Sequence, residues 1–112
     1  MTAESPVLPE LRLDLAPPDV DAPIAVAVLL ADRNRAAILV LLRDGPHCVC
    51  ELAAALDERS NNISNHLARL RDAGLVRAAR AAADTRRVYY ERDEAACAAA
   101  FAAMGNLLEP QR

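Results

Sequence analysis

The stretch Arg59–Gly74, Arg-Ser-Asn-Asn-Ile-Ser-Asn-His-Leu-Ala-Arg-Leu-Arg-Asp-Ala-Gly, most constrains the fold, because its two faces require different surroundings. Ile63, Leu67 and Leu70 recur at i, i+4 and i+7, the stripe of a helix with about 3.6 residues per turn, so that side must be buried. Ser60, Asn61, Asn62, Ser64, Asn65 and His66 crowd the first two turns with short hydrogen-bonding groups, where a merely solvated face carries Lys, Glu and Arg. Such groups suit base edges and phosphates. The amide of Asn pairs bidentately with adenine, Ser serves either a base or a phosphate, and the exposed N–H groups of a helix start attract phosphate oxygen. The stretch reads as a recognition helix, with Arg69 a further DNA contact and Gly74 its C′ terminator.

The remaining chain supplies a scaffold for this reader. Asp57-Glu58-Arg59 forms a short turn after an apolar segment that begins near Cys48–Glu51 and runs through Leu52 and Leu56, so the two helices make a helix-turn-helix. Upstream, Val20–Ala31 reads as a buried helix capped by Asp21, and Asp32 opens a second helix over Arg33–Arg43. Ile38, Leu39, Leu41 and Leu42 face its core, and Gly45-Pro46 ends it. Downstream, Leu75–Ala81 and Arg87–Glu91 flank Ala82-Ala83-Asp84-Thr85-Arg86 as a β-hairpin, or wing. Asp93–Leu108 is an Ala-rich helix whose Cys97, Phe101, Met104, Leu107 and Leu108 form a broad apolar face suited to pairing with its copy across a two-fold axis. The expected architecture is mainly α with a small β-hairpin, a homodimeric winged helix-turn-helix. Residues 20–108 are its domain, 1–19 an acidic, proline-containing flexible arm with a helical turn or two over Pro9–Leu15, and 109–112 a tail.

Composition agrees with that organisation. At 112 residues and 54% apolar content the chain is one folded domain, and with three aromatics its core must be aliphatic. A dimer, through the C-terminal and N-terminal helices, supplies the burial that small helices lack. The net charge of −3 looks wrong for a DNA binder until it is divided along the chain. Residues 59–92 hold eight Arg against three acids, a net +5, whereas residues 1–58 carry −6 and 93–112 carry −2. The positive charge is confined to the reader and wing, where Arg77, Arg80, Arg86 and Arg87 are placed for phosphate or the minor groove. No run of 18 apolar residues and no signal-peptide pattern over Met1–Pro9 are present, so the expected location is cytoplasmic, without membrane contact. No nucleophile, base and orienting group can be assembled, which argues against an enzyme.

With these elements in place the sequence resembles the ArsR/SmtB family of winged-helix, metal-responsive repressors over roughly residues 22–108. The resemblance rests on Leu30-Ala31-Asp32-Arg33-Asn34-Arg35 with Ile38-Leu39, on Cys48-Val49-Cys50-Glu51-Leu52-Ala53, on Ile63-Ser64-Asn65-His66-Leu67 with Leu70 and Ala73-Gly74-Leu75-Val76, and on Val88-Tyr89-Tyr90. It implies a homodimer on double-stranded operator DNA that needs no cofactor to bind and dissociates when an effector binds. Two features depart from the pattern. Glu58 and Arg59 stand where an apolar residue and a Ser or Thr cap are usual, which displaces the reader's start towards Ser60, and the wing is longer, Ala-rich where a tight Gly turn is usual.

Cys48 and Cys50 are the candidate effector ligands. At i and i+2 within a regular helix their side chains would point about 200° apart. With Cys48 in the cap and Cys50 in the first turn the sulfurs can converge, and a helix N-terminus favours the thiolate that binds soft ions. The resemblance implies trivalent arsenic or antimony, inorganic or organic, as the effector. Cadmium- and lead-responsive relatives add thiolates from an N-terminal arm that has no cysteine here, and a zinc site on the last helix would need a His where Ala95 stands. A third ligand is open: Ala53 replaces the further Cys of arsenic-responsive relatives, leaving Cys97, His47, a small thiol or hydroxide. Alternatives are other thiophilic metal ions such as cadmium, lead or zinc, a thiol-based redox or sulfide sensor of the same fold, and a winged helix that binds protein without DNA.

Overall fold

The computed structural model describes residues 8–79 and 86–110; residues 1–7, 80–85, Arg80 among them, and 111–112 lie outside the described part. Helix α1 spans Asp21–Leu30 and α2 spans Arg33–Leu41, extended by a 3₁₀ turn over Leu42–Asp44. A two-residue strand β1, His47–Cys48, leads into α3, Val49–Leu56, and α4, Ser60–Asp72, follows. Strands β2, Val76–Ala78, and β3, Tyr89–Arg92, precede α5, Glu94–Leu108.

The local chemistry accounts for these boundaries. Asp32 caps α2 by accepting from the N–H groups of Asn34 at 2.9 Å and Arg35 at 3.1 Å. Helix α3 ends on Asp57 in the left-handed region, φ 51°, a conformation that Asp tolerates better than most residues. The Glu58 N–H then returns to the Ala53 carbonyl at 3.0 Å. Helix α4 starts at Ser60, as the missing cap at position 59 suggests, and ends through Gly74 at φ 80°, whose N–H closes on the Arg71 carbonyl at 2.8 Å. Asp93 caps α5 through the Ala96 N–H at 3.0 Å.

The core is the aliphatic cluster of Ile38, Leu42, Leu52, Ala53, Ile63, Leu67, Leu70, Leu75 and Val76. Ile63, Leu67 and Leu70 are at most 1% exposed, so the reader's apolar stripe is its anchor. Each such side chain stabilises the fold by about 1.5–3 kcal/mol through burial. Helices α3 and α4 with their three-residue turn form the helix-turn-helix, and β2 and β3 form the base of the wing; the architecture is a winged helix-turn-helix.

Three expectations need correction. The arm has no helix over Pro9–Leu15: residues 8–19 are exposed and without regular structure, the prolines at 9, 17 and 18 removing backbone donors. Helix α1 is not buried in this chain; Ile24 and Val28 stay 50% and 64% exposed, because it packs mainly on α2 and α5. The sheet has three strands in the order β1-β3-β2, all antiparallel, and the additional strand pairs His47 with Tyr90 and Cys48 with Tyr89. Two residues are too short for any period-2 pattern to announce a strand.

Candidate DNA interface and cysteine pair

Helix α4 presents Ser60, Asn61, Asn62, Ser64, Asn65 and Arg69 to solvent. Asn62 donates to the Glu58 carboxylate at 3.1 Å, which fixes one amide near the helix start. His66 departs from the DNA-contact expectation. Its side chain is 18% exposed and turned to α2, with Nδ1 3.3 Å from Arg35 Nη1 and Nε2 3.7 Å from Asp32 Oδ1. Arg35 can only donate, so Nδ1 accepts and the proton sits on Nε2, towards Asp32.

Arg35 is the residue that sequence reasoning missed. It is 8% exposed, and its Nε donates to the Leu29 carbonyl at 2.6 Å and its Nη2 to the Val28 carbonyl at 3.4 Å. One guanidinium thus joins the C-terminal turn of α1 to the reader. The Arg35 N–H, foremost, with the Asn34 N–H and the Arg35 guanidinium charge, holds the Asp32 carboxyl below its ordinary range. The sequence signal was an Arg three residues after a capping Asp, indistinguishable there from a surface charge.

The wing arginines are not equivalent. Arg77 donates to Glu91 at 2.9 Å and lies 3.2 Å from Asp93, and the bond to Glu91 raises its already high pKa. Its charge is offset within the sheet. Arg86 and Arg87 lie exposed on the returning limb.

Cys48 and Cys50 are brought together as the cap-and-first-turn geometry requires. Cys48 is the extended N-cap of α3, Cys50 the second helical residue, and they are paired as a disulfide with Cα atoms 5.4 Å apart. Cys48 is 2% exposed and Cys50 is exposed. Glu51 reaches back to accept from the Cys48 N–H at 3.1 Å, and its other oxygen lies 3.5 Å from His47 Nδ1. The Cys48 N–H, then His47 and more weakly Arg87, hold the Glu51 carboxyl below its ordinary range. A groove of about 500 Å³ opens beside the pair, lined by Val49, Ser60, Ser64, Arg87, Val88 and Tyr90. The sulfurs, the reader's first turns and the wing therefore face one space.

Cys97 is not brought to that space. It lies half-buried on α5 with Sγ 3.7 Å from the Leu75 carbonyl, and lines a separate cavity of about 410 Å³ with Val26, Leu39 and Met104. Burial pushes its thiol up, away from the thiolate that metals bind. Among the described residues no three His, Cys, Asp or Glu form a cluster that could hold an ion. Asp93 is engaged as the α5 cap and beside Arg77. No helix of the described residues is long and apolar enough to cross a membrane.

Residues 32–78 match the family described as "Bacterial regulatory protein, arsR family". Over 55 residues, 48% of this chain and 47% of the relative, the sequence is 47% identical to the arsenical resistance operon repressor of Escherichia coli (strain K12). The chain spans about half the length of the curated relatives it matches. A crystal structure of a possible transcriptional regulator for arsenical resistance superposes with TM-score 0.68 at 29% identity, covering 77% of this chain and 86% of the other. A homodimeric winged helix-turn-helix DNA-binding domain from Mycobacterium bovis does so with TM-score 0.60 at 28% identity, covering 83% and 87%.

Proposed function

From the match of residues 32–78 to the arsR family, we propose that the protein is a homodimeric transcriptional repressor that releases operator DNA when Cys48 and Cys50 capture trivalent arsenic or antimony. The observation that carries this reading is the shared groove: the sulfur pair, Ser60 and Ser64 of the reader, and Arg87 of the wing all line it. A ligand held by the sulfurs sits against both DNA-facing elements.

In the dithiol form the pair exchanges with arsenous acid, two S–H protons leaving with two hydroxides as water while two As–S bonds form. The disulfide is the oxidised form of the same pair and must first gain two electrons and two protons. Cys48 belongs at once to β1, paired with Tyr89, and to the cap of α3, so drawing its sulfur onto an ion pulls on the wing base and on α3 together. Helix α3 is joined to α4 by three residues. A small rotation of each reader spoils the match of two readers to successive major grooves, and a coupling of roughly 1–3 kcal/mol, or about 5–150-fold in affinity, is typical of such linkage.

The dimer is supported by exposed apolar residues on α1 and α5: Ile24, Val28, Phe101, Leu107 and Leu108. Residues 20–108 are the unit proposed to fold and pair. DNA binding is assigned to Ser60, Asn61, Asn62, Ser64, Asn65, Arg69, Arg86 and Arg87; Arg80, also expected to bind, lies outside the described residues.

The test is fluorescence anisotropy on duplexes from the region upstream of its own gene, with protein reduced by a phosphine. Arsenite should weaken binding, and Cys48→Ser or Cys50→Ser should abolish the response while leaving basal affinity intact. An unchanged response in both variants removes the pair from the mechanism. The disulfide favours one second reading, a redox repressor governed by the same pair. Under it peroxide, in the absence of arsenite, releases DNA and the released protein is lighter by two hydrogens.

A further inference from the structure

A trivalent arsenic centre takes three ligands, and the pair supplies two. Ala53 offers no sulfur one turn on, and Cys97 lines a different cavity. The space beside the pair is open. Its volume of about 500 Å³ falls in the range of small-molecule sites, roughly 300–1,000 Å³. Its lining combines the hydroxyl side chains of Ser60 and Ser64, the cationic Arg87, and an apolar flank of Val49, Val88 and Tyr90. Glu51, whose carboxylate feels the charge of Arg87, is already engaged by the Cys48 N–H and by His47. The groove therefore suits a short organic chain with an anionic end.

Building on the repressor reading, we propose that the third ligand is the thiolate of a small carboxylate-bearing thiol, seated in this groove with its carboxylate towards Arg87. The step balances without redox chemistry: arsenous acid and three thiols, two from the protein and one free, give three As–S bonds and three waters. The seated chain lies against Ser60, Ser64 and Arg87, withdrawing from phosphate the groups that start the reader and return the wing. The effector recognised is then the mixed thiol adduct of the metalloid.

Native mass spectrometry of phosphine-reduced full-length protein with arsenite tests this, using 3-mercaptopropionate, 2-mercaptoethanol and cysteamine as anionic, neutral and cationic thiols. The ternary species weighs one arsenic plus one thiol minus three hydrogens more than the protein. Wild type is compared with Arg87→Ala for each thiol, so the thiol's own affinity for arsenic cancels. The wild-type to variant ratio of ternary adduct should be roughly two- to fivefold for the anionic thiol, the range of an exposed ion pair. It should be near one for the neutral thiol and below one for the cationic thiol. X-ray absorption should count three sulfurs per arsenic with 3-mercaptopropionate present. Ratios near one for all three thiols, or two sulfurs and one oxygen under those conditions, overturn the groove inference while arsenite on the pair survives. Absence of any arsenite adduct on wild type, or its retention in Cys48→Ser, overturns both.

Discussion

Arg35 offers the sharpest test of how the reader is held. Replacing it by Met keeps much of the apolar stem and removes a guanidinium that is 8% exposed. The 2.6 Å bond to the Leu29 carbonyl is a short, charge-assisted one, worth about 1.5–3 kcal/mol when lost from a buried acceptor. The contacts to Val28 at 3.4 Å and His66 at 3.3 Å are long and contribute about 0.5 kcal/mol or less each. Val28 retains a bond from the Ala31 N–H at 3.3 Å, so Leu29 bears most of the cost. The expected loss is about 2–4 kcal/mol, read from the urea midpoint at fixed protein concentration with the m-value unchanged. A double-mutant cycle of Arg35→Met with His66→Ala should show coupling of at least about 0.5 kcal/mol, because the residues are in contact. The reader's attachment should loosen as well, weakening DNA binding without touching arsenite capture at the pair. A loss under about 0.5 kcal/mol, with no coupling, would refute the view that this guanidinium clamps α1 to α4.

Three further outcomes are expected. The Asp32 carboxyl titrates below its ordinary 3.8 in the folded protein, so its contribution is present above that value and disappears as pH falls through the depressed folded one; urea midpoints between pH 5 and 3 should fall less steeply in Asp32→Asn than in wild type. Gly74→Ala meets no atom within 4 Å but must hold φ at 80°; the backbone alone should cost about 1–2 kcal/mol in the urea midpoint, and a neutral result would place α4's end elsewhere. Arg69→Ala should lower the salt slope of DNA binding by about 0.9, as one phosphate contact does, whereas Arg77→Ala should change it little because Glu91 and Asp93 already offset that charge; equal slopes for the two variants would contradict the view that the charge of Arg77 is taken up within the sheet.

Much of the fold was legible because its determinants are local. The Ile63, Leu67, Leu70 stripe became the buried side of α4, Asp32 and Asp93 became caps, Gly74 became the left-handed terminator, and Cys48 fell in a cap where its sulfur meets that of Cys50. Each depends on spacing within about one helical turn. The misreadings share a different cause. His66 looked like a member of the polar face, yet at the edge of that face it is the partner across the core, here Arg35, that decides its direction. Arg77 looked like a phosphate ligand until strand register set it opposite Glu91.

The sequence by itself determined the helix-turn-helix, the wing and the place of the two sulfurs, because apolar period, cap chemistry and turn residues act over a few positions of one chain. Only the tertiary structure decided that β1 pairs Cys48 with Tyr89, that Arg35 ties α1 to the reader, and that sulfurs, reader and wing border one groove. Those relations reach residues as distant in sequence as Arg35 and His66 or Cys48 and Tyr89, and no periodicity encodes them: they follow from how the buried faces of α2, α3 and α4 close on one another and leave each polar side chain the neighbour it then has.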